Sequence, residues 1–194
     1  MEMTKDLGRW LGLLITDGTI SKTEWFLSFG NIENELLDDF SKLTQKIFGL
    51  EGKLTHSNGR VFTIQVNSTQ LVRKINKEFQ IPIGNKSKII SVPEKIVNCN
   101  NNQILCSFLQ GVFDGDGSVV FNKKHNIRRV DLTSGSKGFI EQIRLLLQKL
   151  GIFSRLSKTE IRLLITRKND IKEFQKLINF QHPKRRKKLL EMLN

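Results

Sequence analysis

The 194-residue sequence contains no tyrosine and has only two cysteines and three histidines. The lack of tyrosine excludes nucleases and recombinases that use a tyrosine nucleophile. Cys99 and Cys106 form no Cys-x-x-Cys pair, and the histidines are scattered, so we expect neither a disulfide framework nor a zinc site. A reducing, intracellular location is therefore expected.

Long apolar runs are also missing from the sequence. No stretch approaches the ~20 apolar residues that a membrane span requires. The first ten residues, MEMTKDLGRW, lack the basic and hydrophobic regions of a signal peptide. We therefore expect neither a membrane partner nor secretion.

Positive charge is in large excess. The sequence has 32 lysines and arginines against 19 aspartates and glutamates, which gives a net charge of +13 and a pI near 10.0. A surplus of this size favours a polyanionic partner such as nucleic acid. Charge alone leaves open a merely soluble basic protein.

Three sequence blocks recur in the same order about 100 residues later. Trp10–Gly18 (WLGLLITDG) matches Leu109–Gly117 (LQGVFDGDG) at a spacing of 99, and Phe79–Pro82 matches Phe180–Pro183 at a spacing of 101. Between them, the apolar positions of one amphipathic helix recur at a spacing of 103. Such self-similarity predicts a duplicated unit. The expected organisation is a first repeat over 1–80, a connector over 81–102 and a second repeat over 103–194.

Each repeat has the pattern helix, hairpin, helix, hairpin, helix. Apolar residues recur at helical spacing in three segments of each repeat, and alternating segments between them predict strands. Asn58-Gly59 is a strong hairpin turn signal. The predicted helices span 5–17, 34–48 and 71–79, then 103–116, 138–150 and 171–178, and a short helix is predicted over 93–97. The expected fold class is α+β, two αββαββα units with helices packed on one face of each antiparallel sheet.

The face of each sheet opposite the helices is predicted to be polar. In the first repeat this face holds Thr19, Ser21, Lys53, Thr55, Ser57, Thr63, Gln65 and Asn67. In the second repeat it holds Ser118, Asn122, Arg129, Asp131, Thr133, Arg155, Ser157 and Arg162. A solvated face would also be polar, but the arginines and the surplus charge favour double-stranded DNA, since a β-ribbon fits the major groove.

Asp17 and Asp116 occupy an unusual position, the last turn of an apolar helix just before a glycine. Helix C-termini carry partial negative charge and disfavour carboxylates there. Gly12 and Gly111 lie inside the same helices, where a glycine costs up to ~1 kcal/mol against alanine and is tolerated when another backbone must come close. If the two helices cross at these glycines, the two aspartates converge.

Two adjacent carboxylates raise each other's pKa unless a cation screens them. Oxygen ligands with open positions suit Mg²⁺, which polarises a phosphodiester and supplies an attacking water. The alternative is that Asp17 and Asp116 each only cap a turn before glycine.

WLGLLITDG and LQGVFDGDG resemble the two signature helices of the LAGLIDADG homing endonucleases. Three further segments are similar to that family: GNKSKIISVPEKI, FLQGVFDGDGSV and FIEQIRLLLQKLGI. The likeness covers nearly the whole chain. The resemblance implies a monomer whose signature helices pack at a pseudo-twofold interface. Two saddle-shaped sheets would bind a long asymmetric duplex in the major groove, and both strands would be cut to leave short 3′ overhangs. It also implies that Asp17 and Asp116, helped by the carbonyls of Thr16 and Gly115, hold Mg²⁺ or another divalent cation such as Mn²⁺.

The resemblance further implies a basic residue near the scissile phosphates, for which Lys86 and Lys187 are the candidates. Either could be an ordinary solvated lysine, and Lys187 lies in the run KRRKK (184–188), which could be a phosphate-contacting tail. A polar residue that orders active-site water is implied at Asn31 and Ser134, although Asn31 could equally cap the next helix.

Two other functions on this scaffold stay open. One is a maturase that binds intron RNA, and the other is a DNA-binding regulator that does not cut. Loss of the acidic residues would favour either of these functions, but both Asp17 and Asp116 are present. At the first acidic position of the motif, Ile15 departs from the family pattern in the first repeat, whereas Asp114 keeps it in the second. An intein is not expected, because the sequence begins MEMTKD, ends EMLN and offers no room for a splicing domain.

Overall fold

The computed structural model describes residues 1–23, 25–56 and 61–194. The first repeat consists of α1 (Lys5–Asp17), β1 (Gly18–Ile20), β2 (Phe26–Asn31), α2 (Asn34–Phe48), β3 (Lys53–His56), β4 (Phe62–Asn67) and α3 (Thr69–Phe79). The connector carries α4 (Glu94–Val97). The second repeat consists of α5 (Asn102–Asp116), β5 (Gly117–Asn122), β6 (Ile127–Thr133), α6 (Lys137–Lys149), β7 (Arg155–Leu156), β8 (Arg162–Ile165), α7 (Lys168–Leu177) and α8 (Pro183–Leu193). The predicted α+β class and its duplication are confirmed.

One helix was not expected from the sequence. The basic run 184–188, interpreted as a possible tail, forms the first half of α8. Pro183 is the first residue of this helix, a position where the missing N–H of proline costs nothing. The predicted turn at Asn58-Gly59 lies outside the described residues.

Each repeat forms one four-stranded antiparallel sheet, with the order β1-β2-β4-β3 in the first and β5-β6-β8-β7 in the second. In the first sheet Thr19 lies opposite Ser28, which lies opposite Gln65, which lies opposite Lys53. Since directly opposed residues point to the same side of a sheet, this register places a row of polar side chains on one face. The alternate residues, such as Leu27 and Val66, are buried against the helices.

The centre of the molecule is the packing of α1 against α5. Residues Leu7 to Ile15 of α1 are all buried, because one side of the helix faces its own repeat and the other faces α5. Trp10 shows the first kind of contact: its Nε1 donates to Thr44 Oγ1 at 2.8 Å, and its ring stacks on Phe40 with the centroids 5.4 Å apart. None of the helices in the described part of the chain is long and apolar enough to cross a membrane.

Candidate active site and nucleic-acid face

The structure brings Gly12 and Gly111 together where α1 crosses α5. A Cβ atom on Gly12 would lie 2.3 Å from the carbonyl oxygen of Phe108, and one on Gly111 would lie 2.5 Å from that of Arg9. Only glycine permits this approach of two backbones, which accounts for both glycines inside the helices.

The crossing places Asp17 and Asp116 in one cleft of about 730 Å³, together with Thr16, Lys86 and Ser134. Asp116 keeps access to solvent, and Asp17 is half-buried. Burial by neighbouring protein atoms, with the nearby charge of Asp17, raises the pKa of Asp116 to about 6. Burial also raises the pKa of Asp17, against the opposing effect of Asn31. The site therefore disfavours two ionised carboxylates unless a cation is added.

Asn31 holds Asp17 directly. Its Nδ2 donates to Asp17 Oδ2 at 2.7 Å, while its Oδ1 accepts from the backbone N–H of Glu33 at 3.0 Å. Ser134, at the matching position of the second repeat, lines the cleft, but its Oγ accepts from the backbone N–H of Ser136 at 3.3 Å. The two aspartates thus differ, because among the described residues a side chain fixes Asp17 and none fixes Asp116.

Two basic side chains, Lys86 and Arg185, donate hydrogen bonds to the carbonyl oxygens at the C-terminal ends of α1 and α5. Lys86 Nζ donates to the carbonyl oxygens of Thr16, at 3.0 Å, and of Gly18. In the second repeat Arg185 donates to the carbonyl oxygens of Phe113 at 2.9 Å and of Gly115 at 3.0 Å, and also to that of Asp114. Cations at helix C-termini are electrostatically favourable. They also offset the carboxylates, since Lys86 and Arg185 both lower the pKa of Asp116.

The assignment of Lys187 needs correction, because the structure places Arg185 at the position that corresponds to Lys86. In α8 two residues correspond to a rotation of about 200°, so Lys187 points away from the side that Arg185 occupies. Lys187 is exposed. The repeat spacing led to Lys187, but the helix that carries both residues was not anticipated.

Thr16 and Gly115, predicted to help hold a metal, present their carbonyl oxygens to Lys86 and Arg185. The described residues contain no group of three or more histidine, cysteine, aspartate or glutamate side chains that could hold a metal. A divalent ion at Asp17 and Asp116 would therefore complete its shell with carbonyl, water or phosphate oxygens. Such a mixed oxygen shell fits Mg²⁺, which keeps several waters and binds through one or two carboxylates.

Asp114 has a structural role that the sequence did not reveal. Its side chain is fully buried, and it pairs with Arg9 of the first repeat at 2.9 Å. It also accepts from the backbone N–H groups of Gln181 at 3.0 Å and His182 at 2.9 Å. This carboxylate ties the segment before α8 to the helix crossing, and so it positions Arg185.

The predicted polar face exists on both sheets. The described members of the first set lie on one side of their sheet, together with Ser28, which the prediction omitted. In the second sheet Ser118, Asp131 and Arg155 lie in one row, and Thr133 lies opposite Arg162. Ser157 continues this edge, since its N–H donates to the Arg162 carbonyl at 2.8 Å, whereas Ser57 lies outside the described residues.

Asp131 differs from the other members of the predicted face. Only 3% of its surface is exposed, so it is not free to contact a ligand as expected. Its Oδ2 instead accepts from Arg129 Nε at 2.9 Å. Apolar side chains, which the prediction did not include, share this face at Val120, Ile127 and Leu164.

The model of the LAGLIDADG-like domain family matches residues 4–80 and 103–179, so both repeats are covered. The chain belongs to the LAGLIDADG family.

Solved structures with the same fold include mesophilic variants of the homing endonuclease I-DmoI, with a TM-score of 0.64 and 16% identity over 91% of this chain and 92% of that one. Full-length DUF199/WhiA from Thermatoga maritima has a TM-score of 0.64 and 13% identity over 96% of this chain and 60% of that one. An I-DmoI variant in complex with its target DNA in the presence of Mg has a TM-score of 0.63 and 15% identity, covering 90% of this chain and 96% of that one. At these identities the likeness concerns the fold alone.

Several relatives by sequence are much longer proteins. Glutamine–fructose-6-phosphate aminotransferase of Methanocaldococcus jannaschii is 27% identical, covering 98% of this chain and 18% of the relative. A replication factor C small subunit of the same organism is 28% identical over 99% of this chain and 10% of the relative. The chain thus spans about a tenth to a fifth of the length of these relatives.

Proposed function

We propose that this chain is a site-specific endonuclease that hydrolyses both strands of DNA with the help of a divalent cation. The observation that carries the proposal is the meeting of Asp17 and Asp116 in one cleft at the glycine crossing of α1 and α5. A protein that only binds DNA gains nothing from two carboxylates at a polyanionic surface, since they repel phosphate.

Asp17 and Asp116 would hold the cation, Mg²⁺ or Mn²⁺, which when bound polarises a phosphodiester and activates water. The chain itself supplies the arrangement around it. Asn31 fixes the Asp17 carboxylate. Lys86 and Arg185 provide positive charge beside the two aspartates, where it stabilises the negative charge of a phosphate.

The two sheet faces are proposed to bind the duplex in the major groove. Hydroxyl and amide side chains dominate the first face, while the second carries Arg129, Arg155 and Arg162. Faces of different chemistry recognise different half-sites, so the target is asymmetric. Because one chain supplies both halves, the enzyme is proposed to act as a monomer. The resemblance to the LAGLIDADG homing endonucleases implies that its cuts leave short 3′ overhangs.

The sequence relatives support an activity that is independent of any host protein. The matched region forms 18% of an aminotransferase, 22% of an RNA polymerase subunit and 10% of a replication factor subunit. These names share no reaction, yet the same two-repeat region occurs in each. A self-contained module that acts on DNA accounts for this distribution better than a part of any one reaction does.

One observation favours a second candidate, a DNA-binding regulator or an RNA-binding maturase that does not cut. The carbonyl oxygens of Thr16 and Gly115 already accept hydrogen bonds from Lys86 and Arg185. If these bonds persist on nucleic acid, fewer oxygens face a metal ion.

Cleavage of a randomised duplex library with Mg²⁺ tests the proposal. We expect the parent to enrich one family of cut ends, and Asp17→Asn and Asp116→Asn to bind the same sequences without cutting them. EDTA should abolish cutting by the parent. Sequence-specific binding by the parent with no metal-dependent cut ends would overturn the nuclease and favour the second candidate.

A further inference from the structure

Arg129 and Asp131 form a pair on the polar face of the second sheet. They are two residues apart on β6, and so their side chains point to the same side. Arg129 Nε donates to Asp131 Oδ2 at 2.9 Å, and the side chains are 31% and 4% exposed, respectively. The aspartate thus lies beneath an arginine that stays accessible.

A contribution to folding stability does not explain why a buried aspartate occupies position 131. Within the part of the chain that the structure describes, its Oδ1 is buried and has no hydrogen-bond partner. Its cross-strand neighbours are Ser118 and Leu164. A buried carboxylate with one incompletely buried partner recovers little of its desolvation cost, and an apolar residue of similar size is commonly as stable or more stable at such a position.

The hydrogen bond has a clear effect on Arg129. The bond at Nε orients the guanidinium plane. No acceptor among the described residues engages Nη1 or Nη2, so these two groups form a two-donor fork. Guanine presents two acceptors, O6 and N7, on its major-groove edge, and a bidentate arginine matches them. A fork that is oriented before binding loses less side-chain entropy when the contact forms.

Other arginines on this face lack such support. Among the described residues, no carboxylate accepts a hydrogen bond from the side chain of Arg155 or Arg162, and both are exposed. The first repeat has Phe26 and Ser28 at the positions that match Arg129 and Asp131 at the spacing of 103. The pair is therefore specific to one half of the molecule.

We propose that Arg129 is a specificity-determining residue that recognises one guanine in the half-site beneath the second sheet, with Asp131 as its positioning residue. The inference rests on the proposed DNA-binding function but not on cleavage. It assigns a G·C requirement to one half-site only.

The test selects sequences from a randomised duplex library bound in EDTA, so that no strand is cut, and compares base preferences position by position. We expect the parent to prefer G·C strongly at one position. Arg129→Ala should reduce that preference roughly ten- to a hundredfold. Asp131→Leu should reduce it in the same direction, while its melting temperature stays equal to or above that of the parent.

Two variants serve as controls. Asp131→Asn keeps an acceptor oxygen for Nε, so its preference should stay closer to the parent than that of Asp131→Leu. Arg162→Ala should weaken binding to all sequences alike, because an arginine without a fixed orientation contributes charge to phosphate contacts.

Unchanged preferences in Arg129→Ala, with the parent still selective, would overturn this inference alone. An Asp131→Leu protein with a lower melting temperature and equally weaker binding to every sequence would overturn the positioning role, since that result indicates a structural residue. A parent that selects no sequence at all would overturn the proposed function itself.

Discussion

Gly12 and Gly111 touch backbone to backbone, so that a Cβ on either residue would lie 3.0 Å from the other's Cα. Asp17 and Asp116 each follow their glycine by five residues. Because the offsets are equal, the contact at the glycines sets the two carboxylates at equivalent distances from the crossing. Packing in the core therefore determines the geometry of the candidate site.

Gly111→Ala is expected to destabilise the protein by about 3 kcal/mol, since the added methyl meets backbone that is held by a second helix. Urea unfolding with an unchanged slope should show a lower midpoint. Gly138→Ala in α6 is the control, because a Cβ there meets no atom within 4 Å. It should be neutral or stabilising by up to about 1 kcal/mol. Equal midpoints for both variants would contradict the close crossing.

Stability of the metal-free protein should depend on Asp116 and on pH. The folded-state pKa of about 6 lies above the ordinary 3.8, so the folded protein binds this proton more tightly than the unfolded chain does. Ionised Asp116 therefore opposes folding, fully above about pH 6 and not at all below about pH 4. Asp116→Asn should melt higher than the parent at pH 8, and the difference should vanish toward pH 4.

Mg²⁺ should offset the destabilising negative charge of the ionised Asp116 carboxylate. At pH 8, millimolar Mg²⁺ is expected to raise the melting temperature of the parent but not that of Asp116→Asn, because an ion that binds only the folded state stabilises it by mass action. At limiting Mg²⁺, cleavage should likewise increase as pH rises, because the ion competes with the proton that Asp116 binds in the metal-free protein. A parent whose melting temperature ignores Mg²⁺ at pH 8 would argue against a metal at these carboxylates.

Asn31→Ser separates the two hydrogen bonds of this side chain. Serine at the matching position 134 keeps the turn bond to the N–H two residues on, so the variant should fold normally. It loses the bond to Asp17, and we expect cleavage to slow roughly tenfold with unchanged DNA affinity, since a loosened catalytic group costs rate rather than binding. Ser134→Ala is the control, because the Ser134 hydroxyl of the parent accepts from the Ser136 N–H and does not bond Asp116. This variant should cut at nearly the parental rate. Similar losses in both variants would contradict a specific role for the Asn31–Asp17 bond, because Ser134→Ala leaves that bond in place.

The sequence predicted those features that repeat or alternate. Strand alternation is enough to assign the side of the sheet on which Thr19 or Arg162 lies, because the period of two is set by backbone geometry. Alternation does not reveal how deeply a side chain on that face is buried, so the same DNA-contacting role was predicted for Asp131 and Arg129. The position of Arg185 depends on how the segment before α8 is held by Asp114, a contact 67 residues apart. No local pattern encodes such a contact, and the repeat spacing led instead to Lys187.

Arg185→Met and Lys187→Met test whether Arg185, and not Lys187, is the counterpart of Lys86 in the second repeat. Arg185 donates to three carbonyls at the end of α5 and lies beside both aspartates, so its loss should reduce cleavage by roughly a hundredfold. Exposed Lys187 should matter only for affinity, through one phosphate contact at most, which would lower the salt dependence of binding by about one unit of slope. Cleavage that is more sensitive to Lys187→Met than to Arg185→Met would restore the original assignment.

Asp114→Ala should show that the position of α8 depends on one buried carboxylate. The change removes one of the two carboxylates that pair with buried Arg9, the other being Asp39, and leaves the N–H groups of Gln181 and His182 without their acceptor. We therefore expect a loss of about 3 kcal/mol. Glu141→Gln breaks another arginine–carboxylate pair, with Arg144, but on the surface, where such pairs contribute under about 1 kcal/mol. Hydrogen exchange should speed up in α8 of the Asp114→Ala protein before it does in α6, because α8 loses its tether first. Uniform acceleration across both helices would mean that Asp114 supports the whole core and does not act on Arg185 through α8.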